Sequence, residues 1–351
     1  MNRRTFALIT ALITFTAGVA LARLSLPNLF KTPPPVVIKE IQLSNYRLSG
    51  PYVFDGLSIY LIHGPNTRYD QHYTPLQDAM DRKIVIVHET DNVNQLNIQN
   101  TSAQESVFIQ AGDIVKGGKQ DRVLSVDMIL PPKSGVMPIS AFCVEQSRWQ
   151  QRGAESVDHF TMTEMTAIPS IRRAIVDVAT QVGVWSEVKA SQEKLTVALP
   201  KDVRSEDSPT SLPLALENGV VQDSAAPYVR ELSSLVDRWT DVIGFAFAID
   251  DELKGADVYS SNELFKQLWP RLLKAAAVEA VATPKRISKP VPIETVGAFL
   301  VNSELALETV RDINVRTRSA ERSTDHALFL ECRDIDYHDA WVHRSYLARK
   351  H

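Results

Sequence analysis

The sequence predicts an α+β fold, in which a β-rich N-terminal half packs with a helical and mixed α/β C-terminal half, behind a signal or anchor segment. Two observations predict this fold. Residues 40–150 consist of short β-branched and aromatic runs bounded by Gly, Pro, Asn and Asp, which is typical of strands. Residues 165–346 instead show apolar residues at helical spacing, interrupted by further strand-like runs. The 351 residues are 44% hydrophobic and 23% charged, a composition typical of a folded protein.

The first 22 residues have the form of an export signal. Arg3 and Arg4 precede a 16-residue apolar run from Phe6 to Leu21, and Ala20-Leu21-Ala22 at its end has the small-x-small pattern of a cleavage site. A twin-arginine signal, a Sec signal and an uncleaved anchor all fit, although this run is shorter than the roughly 20 residues that span a bilayer. Each alternative predicts a periplasmic or other extracytoplasmic location, with membrane contact only through this segment.

A proline-rich linker over residues 23–39 leads into a single domain predicted for residues 40–346. In its β-rich part, one helix is predicted at PLQDAMDR. The predicted strands lie in DGLSIYLIHG, RKIVIVHET, QLNIQN, SVFIQAG, RVLSVDMILPP and VMPISAFCVEQ.

The C-terminal part opens with a predicted helix in IPSIRRAIVDVATQVGVWSEVKAS, with Ser170 as its N-cap. Its expected core positions are Ile171, Ile175, Val178, Val182, Trp185 and Val188. The next elements are a surface loop at LPKDVRSEDSPTSLP, a helix near APYVRELSSLVDRW, a strand at VIGFAFAID and a turn at ELKGAD. A long helix begins at the capping sequence that starts at Ser260, and Pro270 is expected to kink or divide it.

The C-terminal residues predict a strand pair, ETVRDINVRTRS and DHALFLECRD, followed by a polar tail. The tail holds donor types that suit a metal, but their spacing matches no motif, so we predict a solvated tail and no metal site. These donors are Asp336, His338, Asp339 and His343. The net charge of -4 also argues against a nucleic-acid partner.

Two cysteines, Cys143 and Cys332, leave two alternatives open. An oxidising compartment permits a disulfide between them, and two buried, unpaired thiols are equally compatible with the sequence. There is no CxxC motif, so structural zinc is not predicted. Cys143 has no histidine near it in sequence to activate it as a nucleophile.

The stretch AGDIVKGGKQDRVLSVD, residues 111–127, resembles a phosphate-binding loop only superficially. Gly112 and Gly117 have Walker A spacing, but the next residues are Gly118, Lys119 and Gln120, so the lysine is displaced and the hydroxyl is missing. The chain also lacks GxGxxG, and no nucleotide cofactor is predicted.

Gly117 and Gly118 fit the tight turn of a hairpin, which alone would account for them. The segment is nevertheless locally basic, because six basic residues face four acidic ones between Gly112 and Gly153. The six basic residues are Lys116, Lys119, Arg122, Lys133, Arg148 and Arg152, and the four acidic ones are Asp113, Asp121, Asp127 and Glu145.

The second polar segment is CVEQSRW, where Glu145 follows a predicted strand and Arg148 and Trp149 follow it in a loop. Such a set can bind a polar ligand by ring stacking and bidentate hydrogen bonds, or can form a buried ion pair that orders the turn. Both interpretations stay open. The candidate ligand-binding residues are Lys116, Gly117, Gly118, Lys119, Gln120, Arg122, Glu145, Arg148 and Trp149.

GDIVKGGKQDRVLSVD, PISAFCVEQSRW and GFAFAIDDELKGADVYSSNELFKQLWPRLL together resemble the domain family named for its association with ADP-ribosylglycohydrolases and rhodanese-phosphatases. The resemblance covers nearly all of residues 40–346. It implies a single α+β domain and a link to systems that handle ADP-ribose or phosphoryl groups. An exported member has little access to cytoplasmic nucleotides, which argues against the ADP-ribose link here.

Three hypotheses follow for the two polar segments. The leading one is a ligand-binding or protein-interaction module, whose partner is a small anionic or sugar-like ligand or another protein. The rival is a hydrolase that acts on a phosphorylated, ADP-ribosyl or sugar-like substrate with Glu145 as general acid or base, aided by nearby cations. In the third, both segments only stabilise the β region. The sequence does not decide whether the protein is an enzyme.

Overall fold

The computed structural model describes residues 37–66, 72–90, 92–146, 148–153, 155, 159–286 and 288–349. The predicted signal or anchor, and the linker up to residue 36, lie outside these residues. Within them the α+β class is confirmed, with strands and helices in comparable amounts. None of the helices in these ranges is both long enough and apolar enough to cross a bilayer.

The strands follow one another along the chain as β1 (Lys39–Gln42), β2 (Arg47–Phe54), β3 (Leu57–His63), β4 (Tyr73–Pro75), β5 (Val85–His88), β6 (Gln95–Asn100), β7 (Ser106–Ile109), β8 (Ile114–Gly117), β9 (Arg122–Leu124), β10 (Met128–Leu130), β11 (Gly135–Cys143), β12 (Phe160–Met162), β13 (Val242–Ile249), β14 (Glu252–Tyr259), β15 (Glu308–Asp312), β16 (Thr317–Ser323), β17 (Ala327–Asp334) and β18 (Ala340–Ala348). The helices are α1 (Leu76–Asp81), α2 (Pro169–Arg173), α3 (Gln181–Ala198), α4 (Leu212–Leu216), α5 (Gly219–Leu232), α6 (Asn262–Ala282) and α7 (Ile293–Ser303).

The largest sheet is antiparallel, with nine strands in the order β1-β2-β3-β13-β14-β18-β17-β16-β15. Its middle strands β3 and β13 are buried along their whole length, because both faces of the sheet are covered. Helix α6 packs on one face, where Phe245 contacts Phe265 and Trp269. Helix α7 covers the other face, where Val296 and Leu300 join a second apolar cluster. Apolar burial on both faces is the main stabilising contribution to such a sheet.

A six-stranded antiparallel sheet, β12-β8-β9-β11-β6-β5, and a three-stranded sheet, β10-β7-β4, form the β-rich part. With α1 they enclose a third apolar cluster that includes Ile98, Ile109 and Leu124. The hairpin β8–β9 and the end of β11 lie side by side in the six-stranded sheet. The two polar segments singled out from the sequence are therefore neighbours in space.

The helix predicted from residue 168 onward is wrong in its register. A π-helical turn at Ala174–Val178 follows α2, and Ala179 then adopts a left-handed conformation with φ 47°. A new helix, α3, starts there, with Thr180 as its N-cap and Ser170 inside α2. Because the π turn rotates the apolar face, Val178 and Val182 are exposed and not in the core.

Three other C-terminal predictions need correction. The segment ELKGAD is the first part of strand β14 and not a turn. Helix α6 begins after Ser261, whose hydroxyl accepts the Leu264 N–H bond, and it continues through Pro270 without a break. Extensive burial of α6 offsets the hydrogen bond that a proline removes. Residues 340–348 of the predicted polar tail form the long strand β18, most of which is buried, whereas Asp336, His338 and Asp339 before it are exposed as predicted.

The cysteines do not form a disulfide. Cys143, at the end of β11, and Cys332, in β17, are both free thiols and both buried. Burial raises the pKa of the Cys143 thiol to about 11, so a reactive thiolate is not stabilised at neutral pH.

Candidate functional site

The Gly-Gly stretch forms the hairpin loop between β8 and β9, as predicted. Gly117 and Gly118 have φ angles of 121° and 55°. A Cβ atom on Gly118 would lie 2.3 Å from the ring of Phe160 and 2.8 Å from a carboxylate oxygen of Glu89. Both the backbone angle and the close approach therefore require glycine here.

Glu145 lies just beyond β11 and is fully buried. The Nε atom of Arg148 lies 2.8 Å from each of its carboxylate oxygens. Arg152 adds a bond of 3.1 Å and the Ser208 hydroxyl one of 2.5 Å, both to Oε1. The backbone N–H of Asp121 donates to Oε2 at 3.1 Å. Both oxygens of Glu145 are thus fully engaged as acceptors.

Asp121 is the second buried carboxylate at this position. Arg152 donates to both of its oxygens, at 2.8 and 3.0 Å, in a bidentate pair. Ser211 donates at 2.7 Å, and the backbone N–H of Gly117 at 3.1 Å. The hairpin, the loop after β11 and the loop before α4 therefore meet in one set of hydrogen bonds. We call this set the Glu145–Asp121 cluster, made of Asp121, Glu145, Arg148, Arg152, Ser208 and Ser211.

A cavity of about 840 Å³ lies beside this cluster, between the loop that starts at Gln146 and the loop around Ser208. Arg148, Arg152 and Ser208 belong both to the cluster and to the cavity wall. Glu145 itself does not line the cavity. The other lining residues are Gln146, Gln150, Gln151, Gly153, Glu155, Asp207, Pro209, Thr210 and Leu214.

The predicted site residues divide into three groups. Glu145 and Arg148 are in the cluster, and Gln120 donates from its side chain to the Glu145 carbonyl at 3.1 Å. Lys119 and Arg122 lie near the exposed Trp149 ring, with cation to ring-centre distances of 5.8 and 6.0 Å. None of these three lines the cavity.

The third group is Lys116, whose ammonium pairs with Glu217 at 2.6 Å. Arg122 is fully buried and donates to the Gln120 carbonyl at 3.0 Å. The predicted cationic surface is consequently neutralised in large part by carboxylates and carbonyls of the same fold.

The sequence analysis missed Asp121, Arg152, Ser208 and Ser211 as members of the site. The serines lie in a segment that we interpreted as a surface loop, about sixty residues away from Glu145. Arg152 entered only as part of a charge count. The only sequence feature that indicates the two serines is the run SPTS, in which polar residues flank a proline. Such runs are also typical of ordinary loops.

A second ionic cluster was also missed, because His343 was assigned to a solvated tail. His343 is fully buried in β18, with Nδ1 2.6 Å from Asp127 and Nε2 3.1 Å from Asp257. Arg172 donates to both oxygens of Asp257 at 2.7 Å. We call Asp127, Arg172, Asp257 and His343 the Asp257–His343 cluster.

Two carboxylates around one imidazole favour its protonated form. Burial alone would lower the pKa of His343, but Asp127 and Asp257 outweigh it and raise the pKa to about 9. The Arg172 guanidinium keeps the pKa of Asp257 below its ordinary value despite burial. His343 and Asp257 are therefore both charged at neutral pH. None of its four residues lines the cavity beside the Glu145–Asp121 cluster.

A third polar chain connects Ser49, His63 and Asp241. The Ser49 hydroxyl lies 2.8 Å from His63 Nε2, and His63 Nδ1 lies 3.0 Å from Asp241. This order matches that of a serine-hydrolase triad. Ser49, however, is fully buried in β2, and Arg47 also contacts Nδ1 at 3.0 Å. A nucleophile needs access to its substrate, so we assign this chain a structural role.

Comparison with known proteins gives one match. A family model, ARPP-1, described as the ARG and Rhodanese-Phosphatase-superfamily-associated Protein domain, matches residues 45–347. No curated protein and no solved structure matches the chain. In the described part of the chain no group of three or more His, Cys, Asp or Glu side chains is placed to hold a metal ion. The match spans most of the sequence, and the chain belongs to the ARPP-1 domain family.

Proposed function

We propose that this protein is an extracytoplasmic binding module that takes a polar ligand into the cavity beside the Glu145–Asp121 cluster. One observation carries the proposal. The cavity wall includes two arginines and a serine that are already fixed by buried carboxylates. A volume of about 840 Å³ is in the range of small-molecule sites.

Side chains that are already fixed favour binding. The free energy of binding is then not reduced by the cost of ordering them. Arg148 also donates to the carbonyls of Gly118 and Gln150, at 3.0 and 2.7 Å, so its guanidinium is held from several sides. Arg152 is held by Asp121 and Glu155. Binding to such a wall needs little rearrangement, which is the advantage of a preorganised site.

The hydrolase alternative has less support from this geometry. A general acid or base must reach the proton that it transfers. Glu145 is fully buried, does not line the cavity, and has both oxygens occupied by four donor groups. Catalysis through Glu145 would require Arg148 or Ser208 to move away first. A purely structural role accounts for the cluster but gives no reason for the open cavity next to it.

The exported location is part of the proposal and is based on residues 1–22. Paired arginines and the short apolar run support export, by the twin-arginine or the Sec route, to the periplasm. Cell fractionation of the full chain tests this location. Replacing Arg3 and Arg4 by lysine is expected to block only twin-arginine export, and recovery of the wild-type chain in the cytoplasm would contradict the proposed location.

The ligand site is tested by a screen of thermal shifts, followed by calorimetry, against neutral glycans, peptides, anions and cell-wall fragments. We expect a response that falls about tenfold or more in affinity when Gln150 and Gln151 are both replaced by alanine, because both line the cavity. Gln104→Ala, at an exposed turn, is the matched control. A response that is unchanged in the double variant would exclude this cavity.

A further inference from the structure

The charges around the cavity do not favour an anion. Arg148 and Arg152 are its two cations, and Glu145 and Asp121 lie directly behind them at hydrogen-bond distance. The wall adds the carboxylates of Glu155 and Asp207. Four carboxylates against two guanidinium groups give the region a formal charge of -2.

The two added carboxylates differ in their availability. Glu155 pairs with Arg152 at 2.8 Å and keeps 31% of its side chain exposed. Asp207 is exposed, and its carboxylate has no hydrogen-bonded or ionic partner within the part of the chain that the structure describes. Asp207 is therefore the group on this wall that a cation from solution can reach most directly.

The rest of the wall carries neutral hydrogen-bonding groups. Gln146, Gln150 and Gln151 are exposed, and each primary amide offers two donor hydrogens and a carbonyl acceptor. This combination suits hydroxyl groups, which also donate and accept. Pro209 and Leu214 supply a limited apolar surface.

Arg152 has one hydrogen-bond donor that the described residues leave without an acceptor. The residue is 7% exposed and lines the cavity, and its Nε–H is buried with no acceptor among the described residues. A buried donor without an acceptor is destabilising. The described fold therefore does not fully satisfy the wall at this arginine.

We infer that the cavity takes an amine-bearing polyhydroxy ligand, an amino sugar or a short oligomer of one, whose ammonium group pairs with Asp207. Its hydroxyl groups bond to the glutamine amides of the same wall. This inference depends on the proposed binding function, which it narrows to one ligand class. It also reverses the expectation of a small anionic ligand.

The test is calorimetry at low and high salt with three probes of similar size: a glucosamine trimer, the N-acetylglucosamine trimer and a glucuronic acid trimer. We expect the glucosamine trimer to bind about fivefold or more tightly than the acetylated one at low salt, because only the former is cationic. The difference is expected to shrink at high salt. The glucuronic acid trimer is expected to bind most weakly.

Asp207→Asn is expected to remove most of the preference for the amine and to leave the affinity for the acetylated trimer unchanged. Asp223→Asn removes the same charge at an exposed helix position that does not line the cavity, and is expected to have no effect. Tighter binding of the glucuronic acid trimer, or equal losses in the two variants, would overturn the inference.

Different results would contradict the proposed binding function and the amino-sugar inference. If another ligand class binds and the Gln150/Gln151 double alanine variant abolishes that binding, the cavity is a site and only the amino-sugar inference is wrong. If no response from any probe depends on these glutamines, the proposed function is wrong as well.

Discussion

The Glu145–Asp121 cluster and the Asp257–His343 cluster are chemically alike. Each contains two carboxylates and two cations, and each includes a bidentate arginine–aspartate pair at short distance. They differ in their surroundings. The first is built by loops and borders a cavity of about 840 Å³, whereas the second is buried between α2, β14 and β18. Buried charge alone thus does not mark a candidate binding site, and our proposal depends on the adjoining open space.

The difference also predicts how each cluster affects stability. A buried ion pair costs desolvation free energy, and loss of one partner leaves the other charge uncompensated. In the Asp257–His343 cluster, Asp257 and His343 are at most 1% exposed, so little solvent reaches a charge left at their position. In the Glu145–Asp121 cluster, water from the cavity can hydrate side chains on the wall when one of their partners is removed. We therefore expect substitutions in the Asp257–His343 cluster to cause the larger losses of stability. Substitutions in the Glu145–Asp121 cluster are expected to cause the larger losses of ligand affinity.

The largest expected effect is that of Asp257→Ala, which leaves Arg172 and His343 without their shared carboxylate. We expect the free energy of unfolding to fall by about 3–5 kcal/mol, the range found when a buried pair is broken. Urea denaturation measures it, with Asp223→Ala on the exposed face of α5 as the control. If the variant does not fold, Ser345→Ala removes only the 2.9 Å bond from Arg172 and gives a smaller, measurable loss. A loss below about 1 kcal/mol for Asp257→Ala would contradict our interpretation of the Asp257–His343 cluster as a set of buried ion pairs.

The pH dependence of stability is the second test. The pKa of His343 is raised to about 9 in the folded protein, above its ordinary value of 6.5. The stabilisation from the imidazolium is therefore fully present below pH 6.5 and is lost as the pH rises through 9. Since one pKa unit corresponds to about 1.4 kcal/mol, this contribution is on the order of 3 kcal/mol. Denaturation curves between pH 6 and 10 should show the decline, and His343→Gln should flatten it; an equally steep decline in His343→Gln would assign it to another group.

Arg148→Ala tests the Glu145–Asp121 cluster and should reduce stability less than Asp257→Ala does. Glu145 keeps its bonds from Arg152, Ser208 and the Asp121 backbone, so we expect a loss of about 1–3 kcal/mol. Because Arg148 also lines the cavity, ligand affinity should fall as well. Calorimetry and urea denaturation of the same samples separate the two effects. A stability loss as large as that of Asp257→Ala would remove the contrast between the clusters.

The smallest effect is expected for Trp149→Ala. The ring is 53% exposed, its described interactions are with Lys119 and Arg122, and none of these three residues lines the cavity. We expect a stability change of less than about 1 kcal/mol and no change in ligand affinity. A clear loss of affinity in calorimetry would show that a second binding surface exists at this tryptophan.

Local patterns predicted much of this fold. The β8–β9 hairpin follows from its glycines, α6 from the helical spacing of its apolar residues, and the buried strand β13 from an uninterrupted apolar run. The failures involve long-range contacts. We predicted a solvated tail that includes His343 and Ser345 of β18. Their partners Asp257 and Arg172 are far away in sequence, so no local pattern indicates these contacts.

The candidate site shows the same limit. Glu145 and Arg148 are three residues apart, so their pairing was one of the two open alternatives. Ser208 and Ser211 reach the cluster from a loop more than fifty residues further on, which no local pattern indicates. The cavity itself depends on the distance between two loops. Sequence reasoning thus located one wall of the site and missed the opposite one.

The free state of Cys143 and Cys332 has a consequence for where the chain can acquire its structure. Both thiols are buried and neither is covalently linked, so no oxidation step separates the unfolded chain from the native one. The same fold is accessible in a reducing compartment and in an oxidising one. Folding can therefore be complete before or after the export that we propose, and the redox state of the surroundings does not dictate the order of the two events.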